Sequence, residues 1–173
     1  MPSVRSLPPV VDDGTRALVL GSMPGRRSLE EGRYYANPQN QFWKIVHHLY
    51  GREPAPSYRE RLEFILERGI GLWDVLQECS RVGSLDSSIK GAIPNDLGAF
   101  LIRYPRVRWV FFNGAKARSA FDVRSVDPVR RSSLAFTLLP STSSANAHMR
   151  LDEKILRWQE VRRCLDAGGT DDI

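Results

Sequence analysis

The chain has 173 residues, 42% of them hydrophobic and 26% charged, which favours one globular domain over residues 1–173 with residues 1–14 as an extended leader. Two cysteines and three histidines are too few for a disulfide framework or a zinc site, and no apolar run approaches a membrane span, so we expect no metal, no cofactor and a cytoplasmic location. The net charge of +5 suits a polyanionic partner, although a solvated, arginine-rich surface explains it equally well.

Apolar runs and turn signals predict strands that alternate with helices along the chain. From the N-terminus, the predicted elements are a strand at residues 17–20, helices at 42–49 and 58–67, and a strand at 72–76. A polar loop at 81–94 then leads to a helix capped by Asn95, a strand at 107–112, a helix at 115–121, a strand at 135–139 and a helix at about 151–165. This order predicts an α/β fold, a three-layer α/β/α sandwich with a central, mostly parallel sheet.

The loop after the first strand, GSMPGRRSLEEGRYYANPQNQFW at residues 21–43, concentrates glycine, proline, asparagine and aromatic residues. Ligands of such folds bind at the carboxyl ends of strands, so this loop and those after Asn113 and Pro140 form the predicted site. The glycine spacing matches neither a nucleotide-triphosphatase loop nor the dinucleotide fingerprint. Ser22 and Ser28 lack a nucleophile elbow, and no pair of carboxylates of the glycosidase kind stands at the strand ends.

Two asparagines and a tyrosine are the candidate ligand contacts. Asn113, at a strand end, either forms an Asn-Gly turn or reads the lactam edge shared by uracil, thymine, xanthine and hypoxanthine. Asn40 either caps the helix that follows it or holds a water below a sugar carbon. Tyr35 is the better candidate for stacking on a base, whereas Phe42 and Trp43 are expected in the core.

One acidic residue, Asp74, stands inside an apolar strand pattern. We expect a structural role for it, in which its carboxylate accepts backbone hydrogen bonds. The adjacent acidic pairs, Asp12-Asp13 and Glu30-Glu31, are expected on solvated surface because neighbouring residues rarely face one site.

In their order and spacing, four groups of motifs are similar to those of the uracil-DNA glycosylase superfamily. They are the loop at residues 21–43, GLWDVL followed by GSLDSSI, FFNGAKA, and LPSTSSANA at residues 139–147. The sequence most closely resembles the hypoxanthine-DNA (deoxyinosine) glycosylase branch, and its first loop also resembles that of the mismatch-specific uracil/thymine branch. The resemblance spans roughly residues 15–165 and implies a DNA base-excision repair enzyme with a uracil-DNA glycosylase-like fold.

This resemblance implies roles for the candidate residues. Where relatives place a catalytic Asn or Asp, two residues after the first glycine, this sequence has Met23, whose thioether cannot position or activate water. The catalytic role is therefore carried over to Asn40, in the segment Pro-Gln-Asn, with Asn37 as the second choice. The expected base-binding residues are Ser22, Met23, Tyr35 and Asn113.

The same resemblance implies a DNA-binding surface around the base pocket. Backbone N–H groups and hydroxyls are expected to hold the phosphates that flank the flipped nucleotide, and small side chains are expected to fill the gap left in the duplex. The expected DNA-binding residues are Pro24, Gly25, Ser141, Thr142, Ser143, Ser144, Ala145, Asn146 and Arg150.

The implied reaction is removal of a deaminated base, most of all hypoxanthine, from DNA by a monomeric, monofunctional glycosylase that uses a water held by Asn40. No lysine is placed as an imine-forming nucleophile. Two alternatives stay open. One is a uracil or mismatch-specific glycosylase, because the lactam edge alone does not separate uracil from hypoxanthine. The other is a non-catalytic module that binds damaged DNA, which Met23 favours.

Overall fold

A computed structural model describes residues 2–170, which contain seven strands and seven α-helices. The strands are β1 (Ser3–Arg5), β2 (Ala17–Gly21), β3 (Ile70–Asp74), β4 (Leu76–Ser80), β5 (Lys90–Pro94), β6 (Trp109–Asn113) and β7 (Ala135–Leu139). The α-helices are α1 (Arg26–Glu31), α2 (Phe42–His48), α3 (Tyr58–Glu67), α4 (Leu97–Arg103), α5 (Ala115–Ala120), α6 (Pro128–Ser132) and α7 (Leu151–Ala167). Single 3-10 turns lie at Asp86–Ser88, Val123–Ser125 and Gly168–Thr170.

Four parallel strands form the central sheet, in the order β3-β2-β6-β7. At its carboxyl edge, Gly21 of β2 lies opposite Asp74 of β3, and Asn113 of β6 lies opposite Leu139 of β7. Because all four strands run in the same direction, the loops that follow them meet at one edge of the sheet.

The side chains of β2 show how the sheet buries both of its faces. Ala17 and Val19 pack with helices α2, α3 and α7 on one side, whereas Leu18 and Leu20 pack with α4 and α5 on the other. Alternation along a strand places successive residues on opposite faces, so a strand buried on both faces is apolar throughout. The predicted three-layer α/β/α sandwich with a parallel central sheet is confirmed.

A second, antiparallel sheet of order β1-β4-β5 was not predicted. Strand β1 lies in the leader and pairs with β4, with Val4 opposite Cys79, and β5 pairs with β4 on its other side. The loop predicted at residues 81–94 is therefore wrong where β5 forms. Strand β5 is exposed at every residue and has no apolar alternation, so its sequence carries no strand signal.

Side-chain caps define the starts of helices α3 and α4. Ser57 and Glu60 form a capping box at the start of α3, with both reciprocal hydrogen bonds present. The cap predicted at Asn95 is wrong, because Asp96 is the N-cap of α4 and Asn95 instead donates a hydrogen bond to the backbone carbonyl of Asp74 at 2.8 Å. Within residues 2–170, no helix is both long enough and apolar enough to span a membrane.

Candidate active site

A cavity of about 470 Å³ opens at the carboxyl edge of the central sheet. Its walls come from the loops that follow β2, β4, β6 and β7 and from Asp74 at the end of β3. Its volume is in the range of about 300–1,000 Å³ that is usual for small-molecule sites. The lining residues are 21–28, Tyr34, Tyr35, Asn37, Asn40, Asp74, 84–87, 113–116, 141–143, Ala145 and Asn146. The three loops singled out in the sequence thus meet in one place.

Thr142 connects the loop after β7 to two asparagines from distant parts of the chain. Its fully buried hydroxyl donates to Asn40 Oδ1 at 2.9 Å and accepts from Asn113 Nδ2 at 3.0 Å. Its backbone N–H donates to Asn113 Oδ1 at 3.0 Å, and its carbonyl accepts from the backbone N–H of Gln41 at 2.9 Å. These four hydrogen bonds fix the relative positions of Asn40 and Asn113.

The Asn40 amide has a defined orientation. Besides the Thr142 hydroxyl, its Oδ1 accepts from the backbone N–H of Phe42 at 2.9 Å, and a backbone N–H can only donate, so the oxygen must face it. The N-cap of α2 is Gln41 rather than Asn40. The NH₂ group of Asn40 has no acceptor among residues 2–170, so this half-exposed side chain offers the cavity a hydrogen-bond donor.

Asn37, the second candidate for the catalytic asparagine, lies at the cavity with an exposed side chain. Its Oδ1 accepts from the backbone N–H of Gln39 at 3.0 Å, and its carbonyl accepts from the N–H of Asn40 at 2.9 Å. This is the pattern of an asparagine that stabilises a turn. Of the two asparagines, only Asn40 is tied to Thr142 in the described structure.

Tyr35 forms an aromatic wall of the cavity. Its ring stacks on that of Phe42 with the centroids 4.0 Å apart, and its hydroxyl accepts from Asn113 Nδ2 at 3.1 Å. Its φ of 52° lies in the left-handed region that non-glycine residues rarely adopt, so the surrounding contacts hold it in place. Burial, followed by the nearby charge of Asp74, raises the pKa of Tyr35 and keeps the hydroxyl protonated. Phe42 and Trp43 are buried, as expected.

The turn from Ser22 to Gly25 lines the cavity mainly through its backbone and small groups. The buried Ser22 hydroxyl donates to Asp86, and the Pro24 carbonyl accepts from a buried arginine. Met23 is also buried and packs into the core on the α4 and α5 side of the sheet. A methionine at this position therefore contributes packing, and it offers no hydrogen-bonding group of the kind that orients water.

Residues 141–146 form a compact loop on the opposite wall. The Asn146 amide donates to the Ser141 carbonyl at 3.2 Å, which closes the loop on itself. Every residue of this loop except Ser144 lines the cavity, and Ser144 is exposed. Arg150 lies outside the cavity at the start of α7, where its exposed guanidinium pairs with an acidic residue of the same helix.

Three basic residues at the cavity escaped the sequence reasoning: Arg26, Arg27 and Lys116. Both arginines are exposed and pair with glutamates one turn further along α1. The adjacent pair directly after Gly25 was a visible signal. The position of Lys116 could be inferred from its place just after the strand that ends at Asn113.

The surroundings of Asp74 differ from the sequence-based expectation that its carboxylate accepts backbone hydrogen bonds. Its carboxylate receives no backbone hydrogen bond, and its Oδ2 has no hydrogen-bond partner although the residue is only 4% exposed. Burial raises the pKa of Asp74 to about 7, with Arg81 opposing the shift and Asp86 adding to it. An unpartnered, buried carboxyl group therefore lies in the cavity lining.

Among residues 2–170, no cluster of three or more His, Cys, Asp or Glu side chains is arranged to hold a metal ion. Cys79 and Cys164 are both buried free thiols. They belong to the two core clusters on opposite faces of the sheet, which keeps them apart.

A family model described as the uracil DNA glycosylase superfamily matches residues 8–162 of this chain. The chain belongs to this superfamily. The matched segment contains all four strands of the central sheet and every residue that lines the cavity. The family model therefore covers the complete candidate site and the central sheet.

Curated relatives extend the comparison. The chain is 35% identical over 161 residues to a protein named hypoxanthine DNA glycosylase from Methanosarcina acetivorans, covering 92% of this chain and 98% of the relative. It is 31% identical over 158 residues to a protein of the same name from Methanosarcina barkeri, covering 91% and 96%. The solution NMR structure of a candidate uracil DNA glycosylase from Methanosarcina acetivorans superposes with a TM-score of 0.80 at 34% identity, covering 95% of this chain and 99% of that one.

Proposed function

We propose that this protein is a DNA glycosylase that removes hypoxanthine from DNA containing deoxyinosine. The observation that carries the proposal is the hydrogen-bonded group in which Thr142 fixes Asn40 and Asn113 beside the ring of Tyr35. Relatives named hypoxanthine DNA glycosylase match more than nine-tenths of the chain, which supports the same activity. The protein acts as a monomer in the cytoplasm, at the nucleoid where its substrate is.

A base within a duplex is out of reach, so the enzyme extrudes it at a cost of a few kcal/mol in lost stacking. The cavity at the sheet edge receives the flipped base. Arg26, Arg27 and Lys116 bring positive charge to the flanking phosphates, together with the backbone from Ser22 to Gly25 and the hydroxyls of residues 141–143. The tip at residues 144–146 occupies the gap left in the duplex, and Arg150 adds a more distant, salt-sensitive contact.

The base stacks against the Tyr35 side of the cavity, with Ser22 and Met23 beside it. Asn113 holds the Tyr35 hydroxyl, and its own contact with the base is restricted. Both of its amide hydrogens are engaged, one by Tyr35 and one by Thr142, and only one lone pair of Oδ1 is open. Asn113 therefore has no amide hydrogen left to donate to a base.

The water that attacks the sugar accepts a hydrogen bond from the free NH₂ group of Asn40. An amide is no general base, so Asn40 acts by positioning the water as an oxocarbenium-like state forms. Hypoxanthine assists its own departure, because it leaves as a delocalised anion. Because no strong base activates the water, turnover is expected to be slow.

The test is excision from duplexes that carry one deoxyinosine or one deoxyuridine, with a chelator present and alkali used to reveal abasic sites. Faster loss of hypoxanthine than of uracil is the expected result. Faster loss of uracil would move the assignment to a uracil or mismatch-specific enzyme. No loss of either base, with damage-dependent binding retained, would identify a binding module in which Met23 marks lost catalysis.

A further inference from the structure

Asp74 is the one buried polar side chain at the cavity that makes no hydrogen bond among residues 2–170. The others, Ser22, Ser28, Tyr34 and Thr142, each bond through a side-chain oxygen. Asp74 ends β3 at the edge where bound ligands are expected, and its side chain lines the cavity while only 4% of it is exposed. A buried polar group without a partner costs free energy, so a group retained there is expected to find its partner in a ligand.

The glycine opposite Asp74 makes room for this carboxyl group. A Cβ on Gly21 would lie 2.5 Å from Asp74 Oδ1 and 3.7 Å from the Tyr35 hydroxyl. Because Gly21 pairs with Asp74 across β2 and β3, the absence of its side chain leaves the Asp74 carboxyl group and the Tyr35 hydroxyl in one open space. That space adjoins the aromatic wall against which the base is proposed to stack.

The flipped base needs a hydrogen-bond donor for its carbonyl oxygen. Asn113 donates its two amide hydrogens to Tyr35 and Thr142, and the free NH₂ group of Asn40 is assigned to the water. A carboxylic acid carries an O–H donor beside a C=O acceptor, the arrangement that matches the carbonyl and N–H of a lactam.

We infer that the Asp74 carboxyl group reads the lactam edge of the flipped base, with one oxygen donating its O–H to the carbonyl and the other accepting the neighbouring N–H. This inference rests on the proposed function. It transfers to Asp74 the two-bond readout that the sequence suggested for Asn113, which keeps the role of holding Tyr35.

The electrostatic surroundings of Asp74 favour the neutral form that this readout needs. Burial raises its pKa to about 7; Asp86 adds to the shift, and Arg81 opposes it. Tyr34 and Tyr35 also face this carboxyl group. Burial, and after it the charge of Asp74, raises the pKa of each tyrosine, so both remain neutral. A carboxyl group kept protonated by apolar surroundings is an established kind of hydrogen-bond donor in enzymes.

The consequence for pH dependence has a definite sign. Above the pKa of Asp74 the carboxylate has no proton to donate, and its charge faces the carbonyl oxygen of the base. Excision should therefore fall as pH rises through about 7, approaching a tenfold loss per pH unit. Removing the charge of Asp86 should lower the pKa of Asp74, so Asp86→Asn should move this fall to lower pH.

The test measures single-turnover hypoxanthine excision by wild type, Asp74→Asn and Asp74→Ala over about 1.5 pH units on either side of neutrality. An amide has a donor and an acceptor at every pH, so Asp74→Asn should remain active and lose the alkaline fall. Asp74→Ala should be about a hundredfold slower than wild type at the acidic end of this range and should lack the alkaline fall. An inactive Asp74→Asn with a wild-type rate that rises with pH would show a carboxylate acting as base and overturn the inference. An unchanged alkaline fall in Asp74→Asn would also overturn it.

Binding to a duplex that carries 2′-fluoro-deoxyinosine, which resists cleavage, supplies a second readout. Asp74→Ala should lose preference for this duplex over an undamaged one, while its affinity for undamaged DNA stays at the wild-type value. Equal preference in wild type and Asp74→Ala would overturn the inference. If wild type excises hypoxanthine and the Asp74 variants fail these expectations, only this inference is wrong. If wild type excises no hypoxanthine, both the proposed function and this inference are wrong.

Discussion

The hydroxyl of Thr142 donates to Asn40 Oδ1 at 2.9 Å across 102 positions of sequence. The same hydroxyl accepts from Asn113 at 3.0 Å, so one buried oxygen positions both asparagines of the site. Through this contact the loop after β7, which is expected to bind DNA, is connected to the residue expected to hold the water. A change at Thr142 therefore affects chemistry through geometry, without touching the reacting atoms.

Thr142→Val should reduce single-turnover excision by about 10- to 100-fold, because it keeps the shape of the side chain but removes one of the two hydrogen bonds that hold Asn40 Oδ1. Thr142→Ser retains the hydroxyl and should restore most of the rate. Thr137→Val, the same substitution in β7 outside the cavity lining, serves as the control. Equal rates for Thr142→Val and wild type would show that this contact does not position Asn40.

Gly21→Ala should impair excision without unfolding the protein. The added methyl group would lie 2.5 Å from Asp74 Oδ1, so the carboxyl group must move into the cavity space. We expect a loss of about tenfold or more in rate, with cooperative thermal unfolding retained. Gly14→Ala, where the nearest atom is 3.4 Å away, is the matched control. A Gly21→Ala enzyme with normal excision would mean that no substrate group occupies this space.

Lys116 lines the cavity, and no hydrogen bond within residues 2–170 holds its amine against the cavity wall. We expect it to contact phosphate. Lys116→Gln should weaken binding to damaged and undamaged duplexes alike and lower the slope of log Kd against log salt by about 1. The exposed Lys44 on α2, outside the cavity lining, supplies the control variant Lys44→Gln.

Borohydride should trap no covalent complex between the wild-type enzyme and DNA. A trapped complex that Lys116→Gln abolishes would instead reveal an imine-forming enzyme.

Ser57→Ala should lower the free energy of unfolding by about 1 kcal/mol, because Ser57 accepts from the backbone of Glu60 and completes the capping box of α3. Excision should be unchanged, since Ser57 is not part of the cavity lining. Urea unfolding with Ser132→Ala as an exposed-serine control measures the difference. A similar loss of stability in both variants would argue against a specific cap.

The central sheet could be predicted because its strands are short apolar runs, and β2, β3 and β6 are buried on both faces, as the ALVL run of residues 17–20 shows. The second sheet could not. Strand β5 is exposed throughout, and β1 joins the sheet only by pairing with β4, more than 70 residues away. Local periodicity carries no trace of such a partner, so the leader and the segment at residues 81–94 gave no strand signal.

The candidate site likewise contains residues that the sequence could predict and contacts that it could not. Asn40, Tyr35 and Asn113 were identified from the strand ends and from the family resemblance, and the structure brings all three to one cavity. Their partners were hidden, because a sequence does not show that the hydroxyl of Thr142 faces two asparagines. Asp74 was visible as an acidic residue in an apolar strand. Its lack of a hydrogen-bond partner depends on the three-dimensional surroundings, and so does the space left by Gly21.

The most direct test of the proposed mechanism is the single-turnover rate of hypoxanthine excision by Asn40→Ala, beside Asn37→Ala and wild type. Loss of one positioned hydrogen-bond donor should lower the rate by about 100- to 1,000-fold in Asn40→Ala, with binding to deoxyinosine-containing DNA retained. Asn37→Ala should stay within about threefold of wild type, because Asn37 is an exposed turn residue. A near-normal rate for Asn40→Ala with an inactive Asn37→Ala would contradict the account and place the water elsewhere.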